Sequence, residues 1–240
     1  MLSDLPSSRA AFICGCGHSG TSLLANMFAA HPDVFIPLRE TEIFLHGASA
    51  TRRWSALLTE FEASGRALLV EKTPKHVRYL TAIRSTVLGS RFLVMVRDGR
   101  DVAASYIKRT GSALVGAERW LQDNNIVAAE FEAADVLVIR YEDLVAQPVE
   151  TLERACAFVG LTYAPQMLRY YELPRLWFGA SEIAKGDGTD GKGHVMLRNW
   201  QINQPIFDDR GKWRQLLGSD DLAFFDHPEV RGLMECFGYT

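Results

Sequence analysis

Cysteine is scarce in this chain, its net charge is small, and no apolar run is long. Four cysteines in 240 residues do not make the framework of a small disulfide-stapled domain, so a reduced compartment is the simpler expectation. A formal net charge of −3 excludes the broad basic field used for nonspecific nucleic-acid or membrane-surface binding; any anion site must be built locally. Nothing approaches the about 18 uninterrupted apolar residues that suggest a membrane-crossing helix, and Met1 to Arg9 lacks the apolar region of a secretory signal. Internal repeats and low-complexity tails are also missing. These absences predict a soluble, cytoplasmic protein with no membrane span and no nucleic-acid partner, and they leave the oligomeric state unread.

What is present is enough apolar material for a large core. With 48% hydrophobic content, the chain fits one domain over residues 1–240 better than two independent ones. Apolar runs at Ala11 to Cys14, Ala67 to Val70, Phe92 to Val96 and Val136 to Ile139 alternate with helical patterns. Helices are expected after Ser22, over Arg52 to Ala63, after Pro74, over Asp101 to Lys108 and over Ala113 to Ala133. That alternation predicts an α/β protein, a P-loop-type three-layer fold with a central, mostly parallel sheet. The carboxyl ends of its strands should converge on one crevice. Gly179 to Gly193 holds five glycines among polar residues, the composition of a mobile loop that is either a lid or an ordinary connection.

The most informative segment is Gly15-Cys16-Gly17-His18-Ser19-Gly20-Thr21-Ser22. It has the glycines and terminal hydroxyls of a phosphate-binding loop and sits between an apolar strand and an apolar helix, but Thr21 stands where an ATP-binding loop carries lysine. Backbone N–H groups and a helix N-terminus would still cradle an anion, whereas the reader of the β- and γ-phosphates is gone. Cys14, Cys16 and His18 invite comparison with a metal cluster. No second ligand pair has suitable spacing, so no metal is expected.

A second anion reader is suggested by Arg97, which ends the strand Arg91 to Val96, and by Ser105 and Arg109, eight and twelve positions later. On a helix the last two share a face at four-residue spacing and can meet one anion together with Arg97. The alternative is structural: Arg97 paired with Asp98 or Asp101, and Ser105 merely filling a helix position.

Together these segments resemble the sulfotransferase family that uses 3′-phosphoadenosine 5′-phosphosulfate (PAPS), particularly the branch containing tyrosylprotein and heparan-type carbohydrate sulfotransferases. Gly17, His18, Ser19, Gly20, Thr21 and Ser22, continuing through Ala30-His31-Pro32-Asp33-Val34, are similar to its 5′-phosphosulfate loop and following helix. Arg97-Asp98-Gly99-Arg100 with Ser105 and Arg109 resembles its 3′-phosphate motif. Tyr141, in Arg140-Tyr141-Glu142-Asp143, matches a tyrosine beside the nucleotide, and Lys212 matches a lysine contacting the donor. The resemblance implies a PAPS donor, adenosine 3′,5′-bisphosphate (PAP) as product, and an acceptor hydroxyl or amine on a glycan, peptide, lipid or small metabolite. Two separate anion sites account for the absent lysine.

The resemblance also implies catalytic roles. Glu40, in Arg39-Glu40-Thr41-Glu42-Ile43-Phe44, aligns with the general base that takes the acceptor proton. Glu42 is its nearest rival. Lys72, in Glu71-Lys72-Thr73-Pro74, aligns with a cation near the transferring group; by itself it would read as a snorkelling lysine. His18 replaces the arginine or lysine usual in this branch. It either donates to the leaving phosphate or only shapes the turn. Arg198 departs as well, standing where the tyrosylprotein branch has a serine. Two competing readings remain at this stage: a P-loop small-molecule kinase with Asp98 as a magnesium ligand, and a catalytically inactive nucleotide-binding protein.

Overall fold

The computed structural model describes residues 9–180, 182–185 and 191–240, without the side chains at 191, 192 and 194. Five parallel strands form its sheet: β1 (Ala10–Gly15), β2 (Val34–Phe35), β3 (Leu68–Lys72), β4 (Arg91–Val96) and β5 (Val136–Arg140), in the order β2-β3-β1-β4-β5. Phe12 and Ile13 of β1 lie opposite Phe92 and Leu93 of β4, and Ile13 lies opposite Lys72 of β3. Every residue of β1 is buried, as expected for a central parallel strand covered on both faces.

Because successive strand residues face opposite ways, each strand feeds two cores. Phe12, Cys14, Phe92, Val94 and Val96 pack on one face, whereas Ala11, Ile13, Leu93 and Met95 pack on the other. The first face is covered by α2 (Ala50–Ser64), α3 (Leu80–Thr86), α4 (Gly99–Thr110), α5 (Ala113–Ala129), α10 (Ser219–Asp226) and α11 (Pro228–Cys236). The second is covered by α1 (Thr21–Ala29), α6 (Tyr141–Ala146), α7 (Pro148–Phe158) and the end of α8 (Gly191–Ile202); α9 (Trp213–Leu216) is a short turn beside α4. The result is the expected three-layer α/β architecture. The chain leaves β1 toward β3 and returns past it to β4, so the strand order reverses at β1. The crevice at such a reversal is where open sheets of this kind bind ligands.

Several local expectations need correction. The helix expected to run to Ala133 ends at Ala129, because tight turns replace it: the N–H groups of Glu130, Phe131 and Ala133 bond to carbonyls three residues back. Arg84 pins that turn by bonding both Glu130 and Asp135. After Pro74 the chain makes a 3-10 stretch (Pro74–Tyr79) before α3 begins. β2 is too short to leave an apolar run that could be read.

The glycine-rich stretch from Gly179 is not wholly a loop, since α8 starts at Gly191. Tertiary hydrogen bonds hold α8 in place: the Asn199 side chain accepts from the Trp177 N–H at 2.8 Å and donates to the Glu182 carbonyl at 3.2 Å, while Asn26 of α1 donates to the Ile202 carbonyl at 2.7 Å. Residues 181 and 186–190, on which the lid question turns, lie outside the described residues. Among the described residues no helix is long and apolar enough to cross a membrane.

Candidate active site

The site is built where β1 and β4 end. Gly15 closes β1 with φ +134°, and a Cβ there would collide with the Met95 carbonyl oxygen of β4. Gly20 caps α1 with φ +89°, and its missing Cβ would lie 2.7 Å from Cδ2 of Tyr141. Only glycine allows both this backbone and this approach. The loop is thereby pressed against β4 and Tyr141, with the unpaired N–H groups of α1 at its rim and the positive end of the helix dipole behind them.

Above the loop opens a cavity of about 330 Å³. His18, Gly20, Thr21 and Ser22 reach it from the loop, Arg97, Ser105 and Arg109 from β4 and α4, and Tyr141 and Lys212 from the far rim. Four of the residues singled out from the sequence are not on its wall. Gly17 backs onto Tyr106, whose hydroxyl would stand 3.3 Å from an added Cβ, and Ser19 is buried under the loop. Glu40 and Lys72 lie behind Ser22. The His18 ring packs against the Tyr106 ring with centroids 4.6 Å apart.

At one end of the cavity Arg97 is almost fully enclosed. Its guanidinium lies 4.3 Å from the centre of the Tyr141 ring, donates to the carbonyl of His18 at 3.3 Å and to that of Asp209 at 2.6 Å, and keeps a buried Nε that has no hydrogen-bond partner among the described residues. The carboxylates of Asp101 and Asp209 stand 3.8 and 3.6 Å from its Nη2. The Trp120 indole N–H holds the Arg97 carbonyl at 2.8 Å. Asp101 also accepts the N–H groups of Gly211 and Trp213, at 2.7 and 3.1 Å. It thereby fixes the segment carrying Lys212, whose ammonium pairs with Asp209. Ser105 bonds to the Asp101 carbonyl within α4. Of the two structural alternatives for Arg97, Asp98 is eliminated: it caps α4 and pairs with Arg100 at 2.8 Å.

The other end centres on Ser22. Lys72, the last residue of β3 and wholly buried, places Nζ 2.7 Å from Glu40 Oε1 and 3.4 Å from Ser22 Oγ, with the Phe178 ring centre 4.6 Å away. Arg198 of α8 donates to the same Ser22 Oγ at 2.8 Å and lies 5.2 Å from the centre of the Phe178 ring. Burial pulls the Lys72 ammonium down to about 8, with Glu40 opposing that shift and Arg198 adding to it. Burial also lowers Arg198, which remains charged because guanidinium starts so high.

Sequence reasoning missed the group that orders this end. Glu71 is buried on the opposite face of β3 and accepts from Thr41 Oγ1 and Thr73 Oγ1, both at 2.7 Å, from the Thr41 N–H at 3.2 Å and from His76 Nδ1 at 2.8 Å. His76 Nε2 accepts the Phe44 N–H, which assigns the ring proton to Nδ1. Burial raises Glu71, but His76 and the two threonine hydroxyls outweigh it and hold the carboxyl below its usual range. The signal was available: adjacent charges at a strand end point to opposite faces and each needs its own partners. Arg198 and Asp101 stand out in the sequence, the first as a departure and the second as a possible partner of Arg97, but the contact of Arg198 with Ser22, those of Asp101 with Gly211 and Trp213 and that of Asp209 with Arg97 span long separations and leave no signal there. The thiols of Cys14 and Cys16 are buried and pushed up by that burial, which disfavours the thiolate that a metal requires.

A family model described as "Sulfotransferase family" matches residues 40–165. Protein-tyrosine sulfotransferase 2 of Gallus gallus is 27% identical over 201 residues, covering 68% of this chain and 54% of that protein; the chain thus spans about half the length of that relative. Carbohydrate sulfotransferase 2 of Mus musculus is 40% identical over 60 residues, 25% of this chain and 10% of that protein. The sulfotransferase domain from the Synechococcus PCC 7002 olefin synthase superimposes with a TM-score of 0.66 at 17% identity, covering 100% of this chain and 98% of that one. Mouse sulfotransferase SULT7A1, complexed with PAP, gives 0.63 at 15% identity, covering 97% and 86%. At these identities the two structures share the fold.

Proposed function

This chain belongs to the sulfotransferase family, and from that premise we propose that it transfers a sulfuryl group from PAPS to an acceptor hydroxyl. The observation that carries the reading is the presence of two cationic side chains on the wall of one crevice, Arg97 and Arg198, together with the amide-rich loop, and of Lys72 behind Ser22 beside the second of them. A donor with separate 3′-phosphate and 5′-phosphosulfate groups matches that spacing of charge in kind. The buried Nε of Arg97, without a hydrogen-bond partner among the described residues, supports an anion at the 3′ end. A triphosphate reading has less support, since Asp98, its only proposed magnesium ligand, is committed to Arg100.

In this reading the acceptor oxygen forms a bond to sulfur as the bond from sulfur to the bridging oxygen breaks. The electron pair of that bond stays on the 5′-phosphate of PAP, and the acceptor proton passes to Glu40. Glu40 is released for this task when the incoming anion competes for Lys72. Lys72 and the loop amides stabilise the charge that builds on the transferring oxygens and the departing phosphate. In the same reading His18 donates to that phosphate, and Tyr141 and Lys212, which also line the cavity, flank the nucleotide.

Calorimetry with PAP, adenosine 5′-phosphate and ATP tests the donor. PAP should bind at least about tenfold more tightly than adenosine 5′-phosphate, the share of one charge-assisted phosphate contact. Equal affinity for the two, or tighter binding of ATP, would reject the reading. Transfer of labelled sulfate to an acceptor library, with mass spectrometry locating the modified atom, then identifies the acceptor.

A further inference from the structure

Three charged groups meet around Ser22: Lys72, Arg198 and Glu40. Lys72 is neutralised by Glu40 at 2.7 Å. Among the described residues Arg198 has no carboxylate in direct contact; the Glu40 charge reaches it only from farther away, and Arg109 opposes that. Among the described residues the one hydrogen bond of Arg198 is to the neutral Ser22 hydroxyl, and no carboxylate oxygen comes within 4.0 Å of its guanidinium. The remaining face of the group rests on the Phe178 ring, and the side chain borders the cavity. Ser22 itself lies in the first turn of α1, whose N-terminus adds positive potential. A half-buried guanidinium at the cavity wall, beside a helix N-terminus and a second cation, favours an anion that completes it. Its planar fork of donors suits two oxygens of one tetrahedral group.

We propose that Arg198 holds the sulfuryl end of the donor, sharing it with Lys72 across Ser22 and supplying a permanent cation in a loop whose own candidate, His18, packs against Tyr106. The assignment rests on the donor reading above and adds a residue to it. It also makes α8 part of the site, so that this helix, held by Asn26 and Asn199, positions a group that binds the transferring atoms rather than merely covering them. Because PAP lacks the sulfuryl group and PAPS carries it, the two ligands separate this role from a general one.

The test compares dissociation constants of PAPS and PAP for the native protein, Arg198→Met and Arg198→Lys. Arg198→Met should weaken PAPS about tenfold or more and leave PAP within about threefold. Arg198→Lys, which keeps the charge and loses the fork, should weaken PAPS by an intermediate factor, and it carries the comparison if the methionine variant does not fold. Equal weakening of both ligands would overturn the proposal by assigning the arginine to the 5′-phosphate or to the fold; unchanged binding of both would overturn it by removing the arginine from the site. A native protein that binds neither ligand would defeat the donor reading itself, a result distinct from native binding that the variants leave untouched.

Discussion

The two ends of the cavity are both cationic, but they balance their charge in opposite ways. At the Arg97 end, two cations, Arg97 and Lys212, meet two carboxylates, Asp101 and Asp209. At the Ser22 end, among the described residues, Lys72 and Arg198 meet the single carboxylate Glu40, and Arg109 adds to the positive charge around Arg198. Balanced charge makes the first end a preformed socket, in which Arg97 is fixed between the Tyr141 ring and two backbone carbonyls before any ligand arrives. Surplus positive charge leaves the second end incomplete, and on the proposed reading an anion completes it and frees Glu40. On that proposed reading, the first end serves binding and the second serves chemistry.

The comparison predicts that changes at the Ser22 end act on rate and changes at the Arg97 end act on affinity. The largest effect is expected from Glu40→Gln, which keeps size and removes basicity. Single-turnover transfer should fall by about 10²- to 10⁴-fold, the usual share of a general base, with PAP affinity nearly intact. Transfer at the native rate by a folded variant would move the base to Glu42 or elsewhere.

Next comes the pH dependence of Lys72. Its ammonium is lowered to about 8, so the cation is lost as pH rises through that value, and kcat/KM for PAPS should fall about tenfold per pH unit above it. Stability runs the other way. A lysine depressed in the folded state binds its proton more weakly than in the unfolded chain, so stability rises between about 8 and the usual value of 10.5. Activity that declines while the melting temperature holds or rises distinguishes this titration from alkaline unfolding. Lys72→Arg should flatten the decline if the longer side chain is accommodated, and superimposable profiles would remove Lys72 from control.

How much of this was legible in the sequence depends on how far apart the interacting residues lie. The loop, the helix after it and the Arg97-Ser105-Arg109 set are local patterns, and local patterns fixed the sheet strands to within a residue or two, because an apolar run covered on both faces has few other solutions. β2 has two residues and no pattern to find. Only the first three residues of α8 fall in the glycine-rich stretch expected to be a loop, and the rest of the helix carries no pattern that announced it; it is held by Asn26 and Trp177, far away in sequence. The same distance hid the Arg198 contact with Ser22 and the Asp209 contact with Arg97. A motif names the residues that act; the groups that neutralise or orient them come from whichever element the fold brings past.

The remaining predictions probe the socket. Arg97→Ala should weaken PAP by about 10- to 100-fold through loss of a charge-assisted phosphate contact, and should erase the preference for PAP over adenosine 5′-phosphate. An unchanged preference would place the 3′-phosphate elsewhere.

The smallest expected effect concerns Asp209, which faces both Arg97 and Lys212. Its backbone carbonyl fixes Arg97 at 2.6 Å and would survive a side-chain change, whereas its carboxylate competes with an incoming phosphate for the same two cations. Asp209→Asn removes that competition at constant size. Affinity for PAP is therefore expected to rise, by about two- to fivefold at low ionic strength, as suits a partly exposed pair, and by less at high salt, where such interactions are screened. The opposite outcome, weaker binding at every salt concentration, would show that the carboxylate orients Arg97 and Lys212 more than it opposes the ligand. The socket would then depend on its acids for geometry, and the contrast between the two ends would rest on the Ser22 side alone.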